Sequence, residues 1–295
     1  MSKLQKIYYY DNNPKCTLWD GMWSTRTIKD ELEACDIETA PREMFLSYIP
    51  KKGRIIDGGC GFGKWVIYLS RKGYDVIGVD NNEIAISKLK NFNKSLKVEF
   101  GDILNLEYPD NYYDAYISMG VVEHFEEGPL LALKEANRVL KPNGIIFLST
   151  PTVNVIRKIF IKPILQLLNR LYFLIGKIRI IGNKTKFKKD DFKGSGSKKK
   201  RIYRHFVEYR YSIKELHSFL KQSNFKVIQT VPHDFHDSKN HAIGLGVDFP
   251  FLKVPYSINF KLNFIGRVIS RILDGISPWI ACASVLCVGK SLKKQ

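Results

Sequence analysis

The sequence predicts a three-layer α/β domain, a mostly parallel sheet with helices on both faces. Three observations predict it. Short apolar runs at Arg54-Ile55-Ile56, Tyr74 to Asp80, Lys97 to Phe100, Asp114 to Ser118 and Ile145 to Thr150 recur with the length of buried strands. Helical stretches lie between them, such as the one whose Leu130, Leu133, Ala136, Val139 and Leu140 trace a single face. The first apolar run also ends in a glycine-rich turn, Asp57-Gly58-Gly59-Cys60-Gly61-Phe62-Gly63, which leads straight into the helical run Lys64 to Leu69. Strand, turn and helix in that order bring backbone amides and a helix N-terminus close to a ligand, so a nucleotide-like ligand is expected.

The chain has 295 residues, 44% of them hydrophobic, which suits one large domain with insertions. Its five cysteines (Cys16, Cys35, Cys60, Cys282 and Cys287) show neither a CxxC pair nor zinc-finger spacing. Reduced thiols and a cytoplasmic location are the expectation. The first residues contain no small-residue cleavage site, and no uncharged apolar run approaches the length of a membrane span. The net charge of +18 is concentrated: residues 152–205 hold 16 of the 47 Lys/Arg and only 2 of the 29 Asp/Glu. A nearly balanced domain with one basic insertion disfavours nucleic acid as the partner and points to a local one, such as an anionic membrane surface.

In chain order, residues 1–50 read as an aromatic-rich arm followed by two short helices, near Ile28 to Cys35 and from Thr39 to Tyr48, closed by Pro50 and Gly53. The glycine turn then opens residues 51–151. Gly59, Gly61 and Gly63 alternate, with Lys64 in the next position, whereas the dinucleotide fingerprint needs Gly-x-Gly-x-x-Gly. A NAD-dependent oxidoreductase is therefore disfavoured. The next strand ends at Asp80, a carboxylate placed to accept hydrogen bonds from both ribose hydroxyls, and Asp80-Asn81-Asn82 also supplies helix-capping groups. Another strand ends at Gly101-Asp102-Ile103, and a further one runs into Met119-Gly120-Val121-Val122-Glu123-His124. Lys141-Pro142-Asn143-Gly144 stops the following helix just before the fifth strand.

These stretches, together with Arg138 to Gly144 (Arg-Val-Leu-Lys-Pro-Asn-Gly), resemble the class I S-adenosylmethionine (SAM) dependent methyltransferases, the small-molecule type that includes the ubiquinone-biosynthesis O-methyltransferases. The resemblance covers residues 53–150, 205–231 and 279–290. It implies a Rossmann-like, seven-stranded, mostly parallel sheet whose last strand is antiparallel. It implies SAM as cofactor, with Asp57, Gly59, Cys60, Gly61, Gly63, Asp80, Asn81, Asp102, Ile103 and Met119 at its site. Asp102 would meet the adenine amine, Ile103 would pack on the ring, and the stretch after Met119 would line the methionine end. It also implies that the N-terminal arm, with Trp19 and Trp23, folds over the cofactor and shapes the substrate pocket; packing of both tryptophans on the core is the alternative. In the metal-binding subgroup this stretch reads Glu-x-x-Glu-His, but here Gly120 replaces the first Glu, so no metal is expected at Glu123 and His124. His124 is left as a candidate general base or a structural hydrogen-bonding group.

Beyond the fifth strand, residues 152–204 form a basic insertion. Ile156, Phe160, Ile164, Leu167, Leu171, Leu174 and Ile178 trace one helical face broken at Pro163, with Arg157, Lys158, Lys162, Arg170 and Lys177 off the stripe. This is the pattern of a helix lying in a membrane interface, or of an ordinary docked helix followed by a solvated basic linker. Residues 205–231 return to the core: a capping box at Ser212-Ile213-Lys214-Glu215 opens a helix, and Asn224 to Ile228 begins the sixth strand. In the resembled enzymes the residues before this helix face the substrate, which makes His205, Tyr209 and Tyr211 pocket candidates. Residues 232–278 are a second insertion. Its His233, His236, His241, Asp234 and Asp237 lack metal-site spacing, and a second apolar stripe runs through Phe260, Phe264, Val268, Ile269 and Ile272 beside Lys261, Arg267 and Arg271. Residues 279–295 supply the final strand, read from Trp279 to Val288. The reaction the resemblance implies is transfer of a methyl group to an O, N or C atom of a small acceptor, amphiphilic or lipid-linked if the insertions meet a membrane. A non-catalytic SAM-binding or membrane-associated protein is the rival reading, and the sequence leaves the oligomeric state open.

Overall fold

The computed structural model describes residues 5–11, 27–156, 158–159, 203–233, 262–280 and 282–294. Trp19, Trp23, most of the first basic stripe, His236 and His241 lie outside them. A seven-stranded sheet in the order β4-β3-β2-β5-β6-β9-β8 forms the middle layer. Its strands are β2 (Arg54–Gly58), β3 (Asp75–Asp80), β4 (Lys97–Phe100), β5 (Tyr113–Met119), β6 (Leu140–Pro151), β8 (Phe225–His233) and β9 (Ser284–Ser291). The strands from β4 to β6 are mutually parallel, and β9 runs antiparallel to both β6 and β8.

Helices cover both faces. On one face, α1 (Ile28–Ile37), α2 (Thr39–Tyr48), α3 (Lys64–Arg71) and α4 (Glu83–Phe92) supply Phe45, Trp65, Val66, Leu69 and Leu89 to a core closed by Ile117 and Phe147. Phe45 is its pivot, with ring centroids 5.0 Å from Trp65 and 4.9 Å from Phe147. On the other face, α5 (Leu130–Val139) and α6 (Ile213–Gln222) pack Leu133, Ala136, Leu216 and Leu220 against Tyr116, Ile146 and Phe225. The helix starts are encoded locally. Asn82 accepts the Ala85 N–H to cap α4, and Ser212 and Glu215 complete the expected capping box on α6. The last helix, α7 (Phe264–Ile276), is capped by Asn263, which accepts the Gly266 N–H.

The structure adds to or shifts several expectations. Residues 5–11, read only as part of an arm, form strand β1 (Gln5–Asp11), which pairs antiparallel with β7 (Tyr203–Arg210) in a separate two-stranded ribbon. Both segments are aromatic and β-prone, but the partner lies too far along the chain for local pattern to reveal it. β6 starts at Leu140 rather than Ile145: Tyr113 pairs with Leu140 and Ala115 with Ile145, so the Lys141 to Gly144 turn is an irregularity within the pairing, with Asn143 at φ 65°. β8 runs on to His233, and β9 begins at Ser284 because Trp279 sits in a turn and packs partly against the core. The two insertions share one root. Thr152 N–H donates to Ala283 O at 3.0 Å, Asn154 Nδ2 to Cys282 O at 2.9 Å, and Ile156 N–H to Ile280 O at 3.2 Å.

Candidate functional site

The order of the sheet reverses between β2 and β5, and parallel strands put the carboxyl ends of β2 to β6 at one edge. A crevice outside the carboxyl ends at such a reversal is the ligand-binding position of open α/β sheets. The glycine turn lies there. Gly59, Gly61 and Gly63 have φ of 77°, 52° and 65°, a left-handed path that side chains resist. Gly59 is also crowded: a Cβ would stand 2.6 Å from the Val121 side chain. The turn is pinned by Gly59 and Cys60 N–H donating to Val79 O at 2.8 and 3.1 Å, and by Gly63 N–H donating to Cys60 O at 2.8 Å. Cys60 is buried, its Sγ lying 2.8 Å from where a Cβ on Gly78 would be, so its side chain packs the turn onto β3.

Asp80 closes the turn from the next strand. Its Oδ2 accepts the Gly61 N–H at 2.7 Å and its Oδ1 the Asn82 N–H at 2.9 Å. Burial raises its carboxyl above the ordinary value, while the two amides oppose the shift. Asn81 is exposed beside it, and capping of α4 falls to Asn82. At the end of β4, Asp102 is exposed with Oδ1 accepting the Leu104 N–H at 2.9 Å, and Ile103 is buried. Asp57 ends the row on the β2 side. It is 2% exposed, its Oδ2 has no hydrogen-bond partner among the described residues, and burial, with the charge of Asp80, pushes its carboxyl up to about 7 against the opposing pull of Lys64. Acids at the ends of three adjacent strands, an apolar Ile103 and a buried carboxyl oxygen lacking a partner fit a nucleoside that carries a further polar group.

The stretch after β5 forms the opposite wall. Gly120 N–H donates to Ser149 O at 2.9 Å, and Val122–His124 make one short 3-10 turn. His124 Nδ1 donates to Val207 O at 2.6 Å, while Nε2 is 3.7 Å from Glu123 Oε1. Burial lowers His124 below the ordinary imidazole value against two backbone hydrogen bonds, so the neutral ring is favoured. Glu123 is 1% exposed, burial and then Glu208 raise it well above the carboxylate range, and its Oε2 has no hydrogen-bond partner among the described residues. Burial thus favours its neutral, protonated form. Strand β7 brings His205 and Tyr209 to this wall, and Tyr211 follows just after it. His205 is half-buried; Tyr209 is buried and donates its hydroxyl to Glu126 O at 2.8 Å; Tyr211 is fully buried and stacks on Tyr209 at 5.5 Å. The two tyrosines are thus largely packing groups behind Glu123. No group of three or more His, Cys, Asp or Glu that could hold a metal occurs among the described residues.

Sequence reasoning missed a polar chain across the top of this edge. Glu38, at the N-cap position of α2 but without a side-chain capping bond, meets Lys64 at 2.5 Å through Oε1 and His233 Nε2 at 3.3 Å through Oε2; His233 Nδ1 meets Ser149 Oγ at 2.8 Å. Burial alone would raise Glu38, but the Lys64 charge and the His233 contact outweigh it and hold it at about 2. Nothing in the sequence around His233 shows that β8 extends to it, and Lys64 departs from the dinucleotide pattern with no local sign of its partner.

Residues 56–148 match the model of a methyltransferase domain. Demethylmenaquinone methyltransferases of Staphylococcus aureus strains JH9 and Newman are 33% identical over 121 residues, 38% of this chain and 50% of theirs, so the chain spans about half the length of the curated relatives it matches. Among solved structures, a SAM-dependent methyltransferase from Methanosarcina mazei aligns with TM-score 0.52 at 17% identity over 85% of this chain and 98% of its own. One from Archaeoglobus fulgidus gives 0.52 at 16% over 93% and 98%. The sheet order and these likenesses establish the Rossmann-like class I methyltransferase fold.

Proposed function

We propose that the protein transfers the methyl group of SAM to a small acceptor, a reading supported by the match of residues 56–148 to the model of a methyltransferase domain. The observation that carries the proposal is the clasp of Asp80 on the glycine turn, a carboxylate fixed by the Gly61 and Asn82 amides where ribose hydroxyls would reach it. Asp102 and Ile103 then take the adenine, and Met119 and Gly120 line the way to the acceptor. Bound there, SAM supplies a methyl group on a sulfonium, an already activated leaving group. The protein's share is therefore to hold the acceptor in line and exclude water, which needs no nucleophilic side chain. His124, tethered to Val207, is poorly placed to leave its hydrogen bond, whereas burial of Glu123 beside Gly120 favours the form that keeps its proton. Isothermal titration of SAM and S-adenosylhomocysteine into the wild type and Asp80→Ala tests the reading: binding to the first and its loss in the second are expected. A wild type that binds neither overturns it. Turnover with any acceptor would dispose of a non-catalytic binding role.

The acceptor we favour is amphiphilic or lipid-linked, met at an anionic membrane surface. Two features support this. The relatives matched over the core are named for demethylmenaquinone, and α7 turns an apolar row outward: Phe264, Val268, Ile272 and Ile276 are 73%, 41%, 59% and 68% exposed, with exposed Arg271 beside them. Residues four apart share a helix face, so the row is continuous. The chain after α7 leads into residues 280–283, the stretch that bonds the start of the basic insertion. A cytoplasmic location at the inner face of the membrane belongs to the same proposal.

A further inference from the structure

Both insertions begin and end at one edge of the sheet. Pro151 closes β6, His233 closes β8 and Ser284 opens β9, and register places Ser284 beside both Pro151 and His233. The first insertion returns through β7 to Tyr211, which bridges Thr152. This is the carboxyl edge of β2 and β5, where the glycine turn and Met119 lie. In the order β2-β5-β6-β9, the root of the insertions is one or two strands from β5, about 5–10 Å to its side at the usual strand spacing. Asp80, on β3, lies two strands from β5 on the other side.

The two edges differ in what they expose. At the carboxyl edge Val155 and Ile159, within and just after the root, are exposed. The apolar row of α7 ends at Ile276, shortly before Ile280, whose carbonyl accepts the Ile156 N–H. Exposed Lys158 and Arg271 stand among these residues, and residues 152–205 carry 16 Lys/Arg against 2 Asp/Glu. At the amino edge the charges pair with one another: Lys97 with Asp75 at 2.7 Å, Arg138 with Asp110 at 2.7 Å and Lys141 with Asp114 at 2.8 Å. Its exposed apolar side chains, Phe92 and Leu292, stand on separate elements at the ends of α4 and β9. An apolar patch set among cations matches an anionic bilayer surface, which buries apolar side chains and attracts Lys and Arg. Charges that cancel in pairs do not.

Resting on the SAM and membrane readings, we propose that the carboxyl edge is the face laid on the bilayer, and that a lipid-linked acceptor crosses the β6–β9 root directly from the membrane to the crevice. The acceptor keeps its chain among the lipids beside α7 and extends only its polar head toward Gly120, whose N–H is bonded to Ser149 on the adjoining strand. Its apolar part is then never exposed to water on the way to the reaction. The nucleoside end of the crevice, at Asp80 on the far side of β5, stays open to water. Cofactor and acceptor thus arrive from different phases and from opposite sides of β5.

The test places the photo-crosslinking residue p-benzoylphenylalanine at Ile159, Ile272, Phe92 or Leu292 of the full chain, all exposed positions, with thermal unfolding of each variant. The variants are irradiated on phosphatidylglycerol vesicles and their lipid adducts read by mass spectrometry. Adducts at Ile159 and Ile272 should exceed those at Phe92 and Leu292 several-fold. S-adenosylhomocysteine should bind the vesicle-bound wild type as it binds the free chain. Even adducts, or an excess at Phe92 and Leu292, on a chain that sediments with the vesicles overturn the orientation and leave the membrane reading standing. Loss of S-adenosylhomocysteine binding on vesicles overturns the water-facing nucleoside end and the proposal with it. A chain that does not sediment fails at the membrane reading, and one that binds no S-adenosylhomocysteine in free solution fails at the SAM reading; either result also removes the proposal.

Discussion

His124 donates its Nδ1 proton to the Val207 carbonyl at 2.6 Å and thereby ties the wall of the site to the two-stranded ribbon. Its folded-state value is depressed, chiefly by burial, so the unfolded chain binds a proton more readily and stability rises with pH. The contribution is complete above the unfolded value of about 6.5 and is lost as pH falls through the lower folded value. Urea midpoints should therefore drop between pH 7.5 and 5, and His124→Gln should flatten that part of the profile while costing about 1 kcal/mol at pH 7.5. An unchanged slope would remove the ring from this account.

Glu123 has the opposite sign. Its carboxyl is raised well above the ordinary range, mainly by burial, so the folded state holds the proton that the unfolded state releases. Its contribution is greatest below the unfolded value and declines as pH rises toward the folded one. Glu123→Gln, neutral at every pH, should be at least as stable as the wild type at pH 8, with a shallower decline between pH 5 and 8. A large loss of melting temperature at pH 8 would show that the charged form is the stabilised one.

Gly59 combines a left-handed φ of 77° with a Cβ position 2.6 Å from Val121. Gly59→Ala should cost about 2 kcal/mol or more and weaken S-adenosylhomocysteine binding. Val121→Ala should recover only part of the stability, since it relieves the clash and leaves the backbone strain. Denaturant unfolding of the two single variants and the double variant separates the two terms; full recovery would mean strain contributes nothing.

The outward row of α7 gives a prediction for the membrane. The chain should sediment with phosphatidylglycerol vesicles and less with phosphatidylcholine ones. Val268→Glu with Ile272→Glu should release it at unchanged melting temperature, because both side chains are largely exposed. Salt should weaken the attraction, since the basic residues act through screened charge. Equal sedimentation of wild type and double variant would end the role proposed for this helix.

Much of the core was readable because its signals are local. Asp57 to Gly63, Asp80 and Asp102 each sit at a strand end marked by an apolar run, and the Ser212 box marks its helix within four residues. What was not readable depends on distant partners. Glu38, Lys64, Ser149 and His233 come from four elements, and no spacing in the sequence joins them. Tyr209 and Tyr211 are pocket candidates only through the family resemblance, with packing as the alternative, and no local pattern shows that both are buried.

The β1–β7 ribbon also sets an order of events. Gln5 pairs with Arg210 and Asp11 with Tyr203, so the earliest-made strand has no partner until nearly all of the parallel sheet has been synthesised. Closing so long a loop is entropically unfavourable and slow compared with the neighbouring βα units. During synthesis β1 therefore waits as a bare, aromatic edge while the sheet from β4 to β6 assembles without it. Its docking is therefore a late step, set by the closing of that long loop.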